Sequence, residues 1–453
     1  MQKKNVDFTR GNSLPQILFF SIPLVAGALF QQLYSFVDIG IVGRGVSTDA
    51  LTAVGITGSL NFLVLGLTMG SAMGFCIPLA QSIGSRQRDE TGRYFFNGLY
   101  LSVFLSLLIT GLAVPLLPAV LRRMHTPDNL FAMTETYFRI ILFGLTATTL
   151  YNYLSSVIRS FGDSKRPFVF LVISSVLNLI LDCVMILRLQ MGVAGAALAT
   201  VISQIVSVLL CSWYLFYKMR VVDAVSDGHT LTGLSVPHIK RLCVVGIPMG
   251  LEYSFSAIGA VALQSSINTL GSVAAAAQTC GEKIRMIMTI PAESVGMAVS
   301  TYAAQNYGAK DFRRIREGIR SGLLIEASYS VLAWALLFVL KRPLVGMLLG
   351  TTISVEAETA VYYLSVISMF FIFHGSLMVF RNALQGMGYS MQAMLSGGFE
   401  IIGRVIGGGA AVAFSSFTLI CVASPLAWLL AALYCMMMFF YYMRKHEVKS
   451  SSA

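Results

Sequence analysis

Charge is scarce in this chain. Asp, Glu, Lys and Arg together make up 12% of its 453 residues, where soluble proteins carry about 25%. So few charges cannot cover a water-exposed surface, which excludes a globule wetted on all sides. Signatures of catalysis are missing as well: there is no H-E-x-x-H, no G-x-x-x-x-G-K-[ST] phosphate loop and no nucleophile elbow. The five histidines (His125, His229, His238, His374, His446) are scattered, and the seven cysteines show no metal-ligand spacing, reading as inert thiols in apolar surroundings. These gaps argue against an enzyme, a resident metal or cofactor, and ATP use. The first apolar run is too long for a signal-peptide core and lacks a small-residue cleavage site, so it is expected to remain as the first helix.

Apolar residues are abundant: 56% of the chain, with a mean hydropathy of +0.74. A helix needs about 20 mostly apolar residues to cross a bilayer. Twelve windows qualify: 14–42, 51–83, 94–120, 131–158, 166–187, 191–217, 239–268, 274–307, 318–340, 355–384, 390–414 and 417–443. The runs are long and lack ten-residue alternation, which argues against a barrel. The expected fold is an all-α integral membrane protein of twelve transmembrane helices.

The formal charge of +11 does not point to nucleic acid, because its distribution is one-sided. With both termini in the cytoplasm, 22 of the 32 Lys and Arg residues collect on that side. They include Lys3, Lys4, Arg86, Arg88, Arg159, Lys165 and the cluster Lys310, Arg313, Arg314, Arg316 and Arg320. That is the positive-inside pattern, and it sets the orientation.

The chain also repeats itself. S-I-P at 21–23 answers G-I-P at 246–248, A-Q-S-I-G at 80–84 answers A-Q-N-Y-G at 304–308, and R-S-F-G-D-S at 159–164 falls opposite Q-G-M-G-Y-S at 385–390. Six spans in each half return the chain to its starting side, so the two six-helix repeats are parallel, with an axis along the membrane normal. The expected organisation is a lobe over 1–217, a polar cytoplasmic linker over 218–238 and a second lobe over 239–453. Two such bundles around a cleft make a carrier architecture.

Several stretches in order resemble the multidrug and toxic compound extrusion (MATE) family: V-D-I-G-I-V-G-R-G at 37–45, R-S-F-G-D-S-K-R-P at 159–167, N-L-I-L-D at 178–182, M-G-V-A-G-A-A-L-A-T at 191–200, G-I-P-M-G-L at 246–251 and A-Q-N-Y-G-A at 304–309. The resemblance covers residues 10–443. It implies a V-shaped pair of lobes, a central cavity for amphipathic organic cations, and antiport against H+ or Na+ by alternating access. A bacterial inner membrane, a monomer and contact with membrane lipids are expected.

Acids inside apolar spans carry the functional expectation. A charge at the bilayer centre costs about 2.5–3.5 kcal/mol on insertion scales, so such residues face a bundle interior and have partners. Asp38 lies deep in the first span and Asp182 late in the fifth. Asn178, four residues before Asp182, shares its helix face, and Thr200 adds a hydroxyl. Two close carboxylates cannot both stay charged without a counter-charge, so this oxygen set suits a proton or a hard monovalent cation. The family resemblance matches Asp38, Asn178, Asp182 and Thr200 to the cation site of the N-terminal lobe, with Asn152 and Ser155 as further candidates. The plainer alternative for Asp182 is a helix cap or a pair with Arg188.

The second lobe differs: opposite Asp38 it offers Leu263, and opposite Asn178, Arg404. One branch of the family places an acid about eight residues past the proline of the seventh helix, where this chain has Ser256. Glu400 is expected to pair with Arg404 one turn away. Glu252 and Glu293 show no local partner, and Glu252 is a candidate to attract cationic substrate. Tyr34, Phe36, Tyr137, Tyr151 and Tyr253 are candidate cavity aromatics, through cation–π contact. Pro23 and Pro248 interrupt spans and are candidate hinges. Two rival readings remain. A flippase for lipid-linked oligosaccharide or cell-wall precursor would have longer or additional spans and an Arg-rich cavity, whereas Arg139, Arg381 and Arg404 are the deep basic residues here. A non-transporting sensor or scaffold would signal through a soluble module.

Overall fold

The computed structural model describes residues 6–218 and 233–451. Among them the chain forms α-helices joined by short turns: α1 (Ser13–Gly45), α2 (Thr48–Ile56), α3 (Gly58–Gly84), α4 (Arg88–Arg123), α5 (Asp128–Phe143), α6 (Leu145–Ser160), α7 (Lys165–Asp182) and α8 (Gly192–Trp213). After the linker come α9 (Val236–Thr269), α10 (Ser272–Gly308), α11 (Phe312–Leu349), α12 (Val355–Ser368), α13 (Phe371–Gly386), α14 (Ser390–Ala413) and α15 (Phe417–Ser451). Short π-helical turns, Cys183–Arg188 and Tyr214–Lys218, extend α7 and α8.

Eight of these helices are long and apolar enough to cross a membrane, and up to ten spans result when α5+α6 and α12+α13, bent by 44° and 51°, are each taken as one. The two remaining windows of the expected twelve are α10 and α14. Both are helical throughout, but α10 carries Glu282, Lys283, Arg285 and Glu293, and α14 carries Glu400, Arg404 and six glycines. Their burdens of charge and glycine make them less apolar than a lone span. At the break between α5 and α6 stands Gly144, packed so tightly that a Cβ there would lie 2.3 Å from Val201 Cγ2.

The duplication is written in the backbone. Eleven described residues have positive φ, and eight of them fall into four pairs 224 to 226 residues apart. These are Arg86 with Lys310 (60° and 59°), His125 with Gly350, Gly162 with Gly388 (83° and 88°), and Gln190 with Ser415. Left-handed residues are uncommon outside glycine. Their recurrence at one interval reproduces the turn geometry of one half in the other.

The chain divides into two compact units: residues up to Val6 with Ala26–Gly250, and Asp7–Val25 with Leu251–Ala453. These borders differ from the expected 217 and 239. The start of α1 packs with the second unit, and the start of α9 with the first. Each handover falls two residues past a proline, Pro23 or Pro248. Most of the expected 218–238 linker lies outside the described residues.

Polar clasps hold the exchanged segments. In the second unit, Gln305 Oε1 accepts from the Phe8 amide at 3.2 Å, and Asn306 and Arg314 donate to the Phe8 carbonyl at 3.1 and 2.9 Å. In the first, Asn97 donates to the Gly233 carbonyl and accepts from the Ser235 amide, while His238 meets Glu90 at 3.0 Å. The start of α9 then crosses α3 through two facing Gly-x-x-x-Gly pairs, Gly70/Gly74 and Gly246/Gly250. A Cβ on Gly74 would lie 2.5 Å from Gly246 Cα. Small residues let backbones approach this closely inside a membrane.

Candidate functional site

In the first unit, α1, α5, α7 and α8 supply the side chains Tyr34, Asp38, Tyr137, Asn178, Asp182 and Thr200 to one polar group. Tyr34 and Asp38 are four apart on α1, and Asn178 and Asp182 four apart on α7, so each helix turns a polar pair to one face. Asp182 is the last residue of α7, fully buried, and the π-helical turn begins at the next position. Such turns concentrate at functional sites.

The two carboxyl groups interact directly with each other. Apart from that carboxyl–carboxyl contact, Asp38 Oδ1, both carboxylate oxygens of Asp182 and the Asn178 Nδ2 are buried without a hydrogen-bond partner among the described residues. The Tyr34 hydroxyl donates to Asn178 Oδ1 and also meets the Thr200 side chain. Tyr137, on α5, lies within the electrostatic reach of both acids. An apolar shell of Val42, Ala50, Ile186, Val193, Ala196 and Ala197 packs around Tyr137. Arg188 does not pair with Asp182, which removes that alternative.

Buried polar atoms almost always have partners. Three orphaned carboxylate oxygens at one place, walled by apolar side chains, therefore need a positive species: a shared proton, or a small cation held by oxygens alone. The donor set fits either one.

The structure redistributes some expectations. Tyr34 and Tyr137, read as cavity aromatics, stand at the acid pair. The missed signal was the four-residue spacing of Tyr34 and Asp38. Asn152 donates to the Thr148 carbonyl at 2.8 Å on its own helix, and Ser155 meets Tyr151, so these contacts do not join the three to the carboxyls. Phe36 is 47% exposed.

In the second unit Glu252 has partners after all. Arg381 Nε lies 3.0 Å from it and Gln385 donates to it at 2.7 Å, which makes it a hydrogen-bonded interior acid. Arg381 also holds Glu400 at 2.9 Å, and Glu400 holds Arg404 at 3.2 Å across one helical turn, as its spacing predicts. Tyr253 is 38% exposed and interacts with Arg381. Arg404 Nη1 donates to the Ser256 carbonyl at 3.1 Å, at the position where a branch of the resembled family has an acid. Arg139 pairs with Glu135.

The R-S-F-G-D-S motif proves to be a structural turn. Asp163 accepts from the Lys165 and Arg166 amides at the start of α7, and the Tyr214 hydroxyl donates to it at 2.7 Å. Gly162 has φ +83°, and a Cβ there would stand 2.0 Å from the Val6 carbonyl oxygen.

Known proteins agree with this architecture. The MatE family model matches residues 23–184 and again 248–408, one match for each repeat. The chain is 28% identical over 407 residues to the "Probable multidrug resistance protein YpnP" of Bacillus subtilis, covering 86% of each. It is 21% identical over 400 residues to the "Multidrug export protein MepA" of Staphylococcus aureus, covering 87% of each. Its fold is that of an outward-facing multidrug resistance MATE family transporter of the MOP superfamily (TM-score 0.91, 22% identity, 98% of this chain and 99% of that one). It is also that of a MOP superfamily transporter from Pyrococcus furiosus (TM-score 0.90, 22% identity, 99% of each). With both repeats matched, the chain belongs to the MatE family.

Proposed function

We propose that this protein exports small amphipathic organic cations, driven by a proton or sodium ion that occupies the Asp38–Asp182 site of the first unit. The observation that carries the reading is a buried carboxyl pair with no basic partner among the described residues. The two relatives' names as multidrug resistance and export proteins support the cargo class. The site acts electrostatically. When a cation or proton is present, the two acids tolerate each other. When it leaves, repulsion between two buried charges favours a rearrangement that admits water or a new ion.

Pro23 is the element that transmits this change. It lies fifteen residues before Asp38 on α1, beside the point where the helix passes from one unit to the other. Proline removes a backbone hydrogen bond there and makes bending cheap. On the cargo side, Glu252 is neutralised by Arg381, which leaves Glu293, an accessible acid of α10, to meet a cationic substrate. The protein works as a monomer in a bacterial plasma membrane, both termini cytoplasmic, with no cofactor beyond the coupling ion.

The test uses proteoliposomes loaded with a fluorescent organic cation under separately imposed sodium and pH gradients. Asp38→Asn and Asp182→Asn each bring ion-driven export to the leak rate with normal protein levels. Wild-type export by both variants would end the assignment.

A further inference from the structure

The second unit contains a cavity of about 220 Å³ that the transport reading does not use. Its position is set by the duplication. Asp38 lies fifteen residues past Pro23, and Leu263 fifteen past Pro248; Asn178 lies sixteen past Gly162, and Arg404 sixteen past Gly388. Leu263 and Arg404 both line the cavity. The correspondence extends to contacts. Tyr34 touches Asn178 in the first unit; its counterpart Gly259 lies against Arg404 in the second. Asp38 faces Asp182; Leu263 faces the counterpart of Asp182, Gly408, where a Cβ would meet Leu263 Cδ1 at 3.6 Å. The cavity is the twin of the acid site, with Leu263 and Gly408 where the first unit has its acids and a guanidinium where it has the amide.

Its charge follows from the partners. Glu282 lines the cavity too, but its carboxylate is taken by Arg285 Nε at 2.7 Å and by the Tyr363 hydroxyl at 2.9 Å. Arg404 is balanced by Glu400. Lys283 also lines the cavity, and it has no ion-pair or hydrogen-bond partner among the described residues. Its side chain is exposed at the rim of the cavity, where an ammonium can reach an anion entering from outside. Leu263 and Ile267 form the apolar part of the wall, and Gln278 and Ser424 contribute neutral polar groups. The volume is several times the roughly 30 Å³ share of one water, so the cavity is larger than a bare ion requires.

We propose that this cavity binds a small organic anion, its carboxylate on Lys283 with Arg404 alongside and its apolar body against Leu263 and Ile267. The first unit selects positive charge and its twin selects negative charge, so one duplicated frame holds two sites of opposite polarity.

The experiment uses the full chain in nanodiscs of zwitterionic lipid and fluorine NMR titration with 4-fluorobenzoate. 4-Fluorobenzylamine and 4-fluorobenzyl alcohol serve as the cationic and neutral forms of the same ring. Saturable binding of the benzoate, with the amine and alcohol weaker by about tenfold or more, is expected. Lys283→Gln loses about tenfold or more in benzoate affinity, while Lys283→Arg stays within about threefold. Leu263→Asp, which places an acid at the position matching Asp38, also abolishes benzoate binding. Asp38→Asn keeps its benzoate affinity, so failure here is separable from failure of the ion-coupling reading. Equal binding of benzoate and benzylamine, or wild-type affinity in a folded Lys283→Gln protein, overturns the proposal.

Discussion

Asp38 and Asp182 show how much one pair of side chains can demand of its surroundings. Three of their oxygens are buried with no hydrogen-bond donor among the described residues, beside an apolar cluster that includes Tyr137. Tyr34 is the residue that fixes Asn178 beside them. Tyr34→Phe removes the hydroxyl that donates to Asn178 Oδ1, leaving a buried amide oxygen unsatisfied. A loss of about tenfold in apparent affinity for the coupling ion is expected, equivalent to roughly 1.4 kcal/mol. It is measured as the shift in half-saturating sodium or proton concentration for export. In the second unit, Arg381, itself largely enclosed, bridges the buried Glu252 and Glu400. Arg381→Met leaves Glu252 with the neutral Gln385 amide as its remaining partner and Glu400 with Arg404 alone. A loss of about 3–5 kcal/mol is expected, read as a clear drop in the thermal-unfolding midpoint in detergent. An unchanged midpoint would show that the bridge contributes nothing. Much of this was visible in advance at single positions: an Asp in a long apolar run stands out, and so does an Asn or a Glu four residues from a charge. The Glu252–Arg381 bridge was not, because its members are 129 residues apart and neither has a local partner.

Among the elements, glycine and proline decide how the helices meet. The α3–α9 crossing depends on glycines whose absent side chains are replaced by backbone. A Cβ on Gly246 would lie 2.3 Å from the Phe75 ring and 3.0 Å from the Ser71 carbonyl. Gly246→Val is expected to destabilise by at least about 1–3 kcal/mol and to lower the yield of monodisperse protein. Gly409→Val, at a helical glycine with open space around it, is the matched control and is expected to behave as wild type. Equal behaviour of the two would mean that the crossing is not a close-packed contact. Pro23 poses the complementary question. Pro23→Ala restores a backbone donor in α1, and ion-driven export is expected to fall by about tenfold or more while folding is retained, the gain of one hydrogen bond and the loss of a kink stiffening the helix. Full export with normal ion dependence in that variant would assign Pro23 to static packing. Helices and their breakers were legible as strings. The bends at Gly144 and near Phe370 were not, because each lies inside one continuous apolar run.

At the scale of the whole molecule, the four pairs of positive-φ residues and the two family-model matches describe one ancestral unit used twice. Duplication supplies a frame and leaves each copy free to change its chemistry. Here the first copy holds paired acids and the second an arginine at the matching place. Export under a sodium gradient alone and under a pH gradient alone is expected to give at least one rate about tenfold above leak, with the organic cation as cargo. Leak-level export under both gradients would remove ion coupling from the account. The sequence by itself determined the membrane-embedded all-helical class, because apolar runs of this length have no other stable solution in water or lipid. It also determined the repeat and the identity of the acids, since equal spacing and misplaced charge are one-dimensional signals. Only the tertiary structure decided where one unit ends and the other begins, that the start of each unit's first helix packs into the opposite unit, and which acids are left without a partner. Those are facts of distance between residues far apart along the chain, and packing and ion pairing are settled by distance in space.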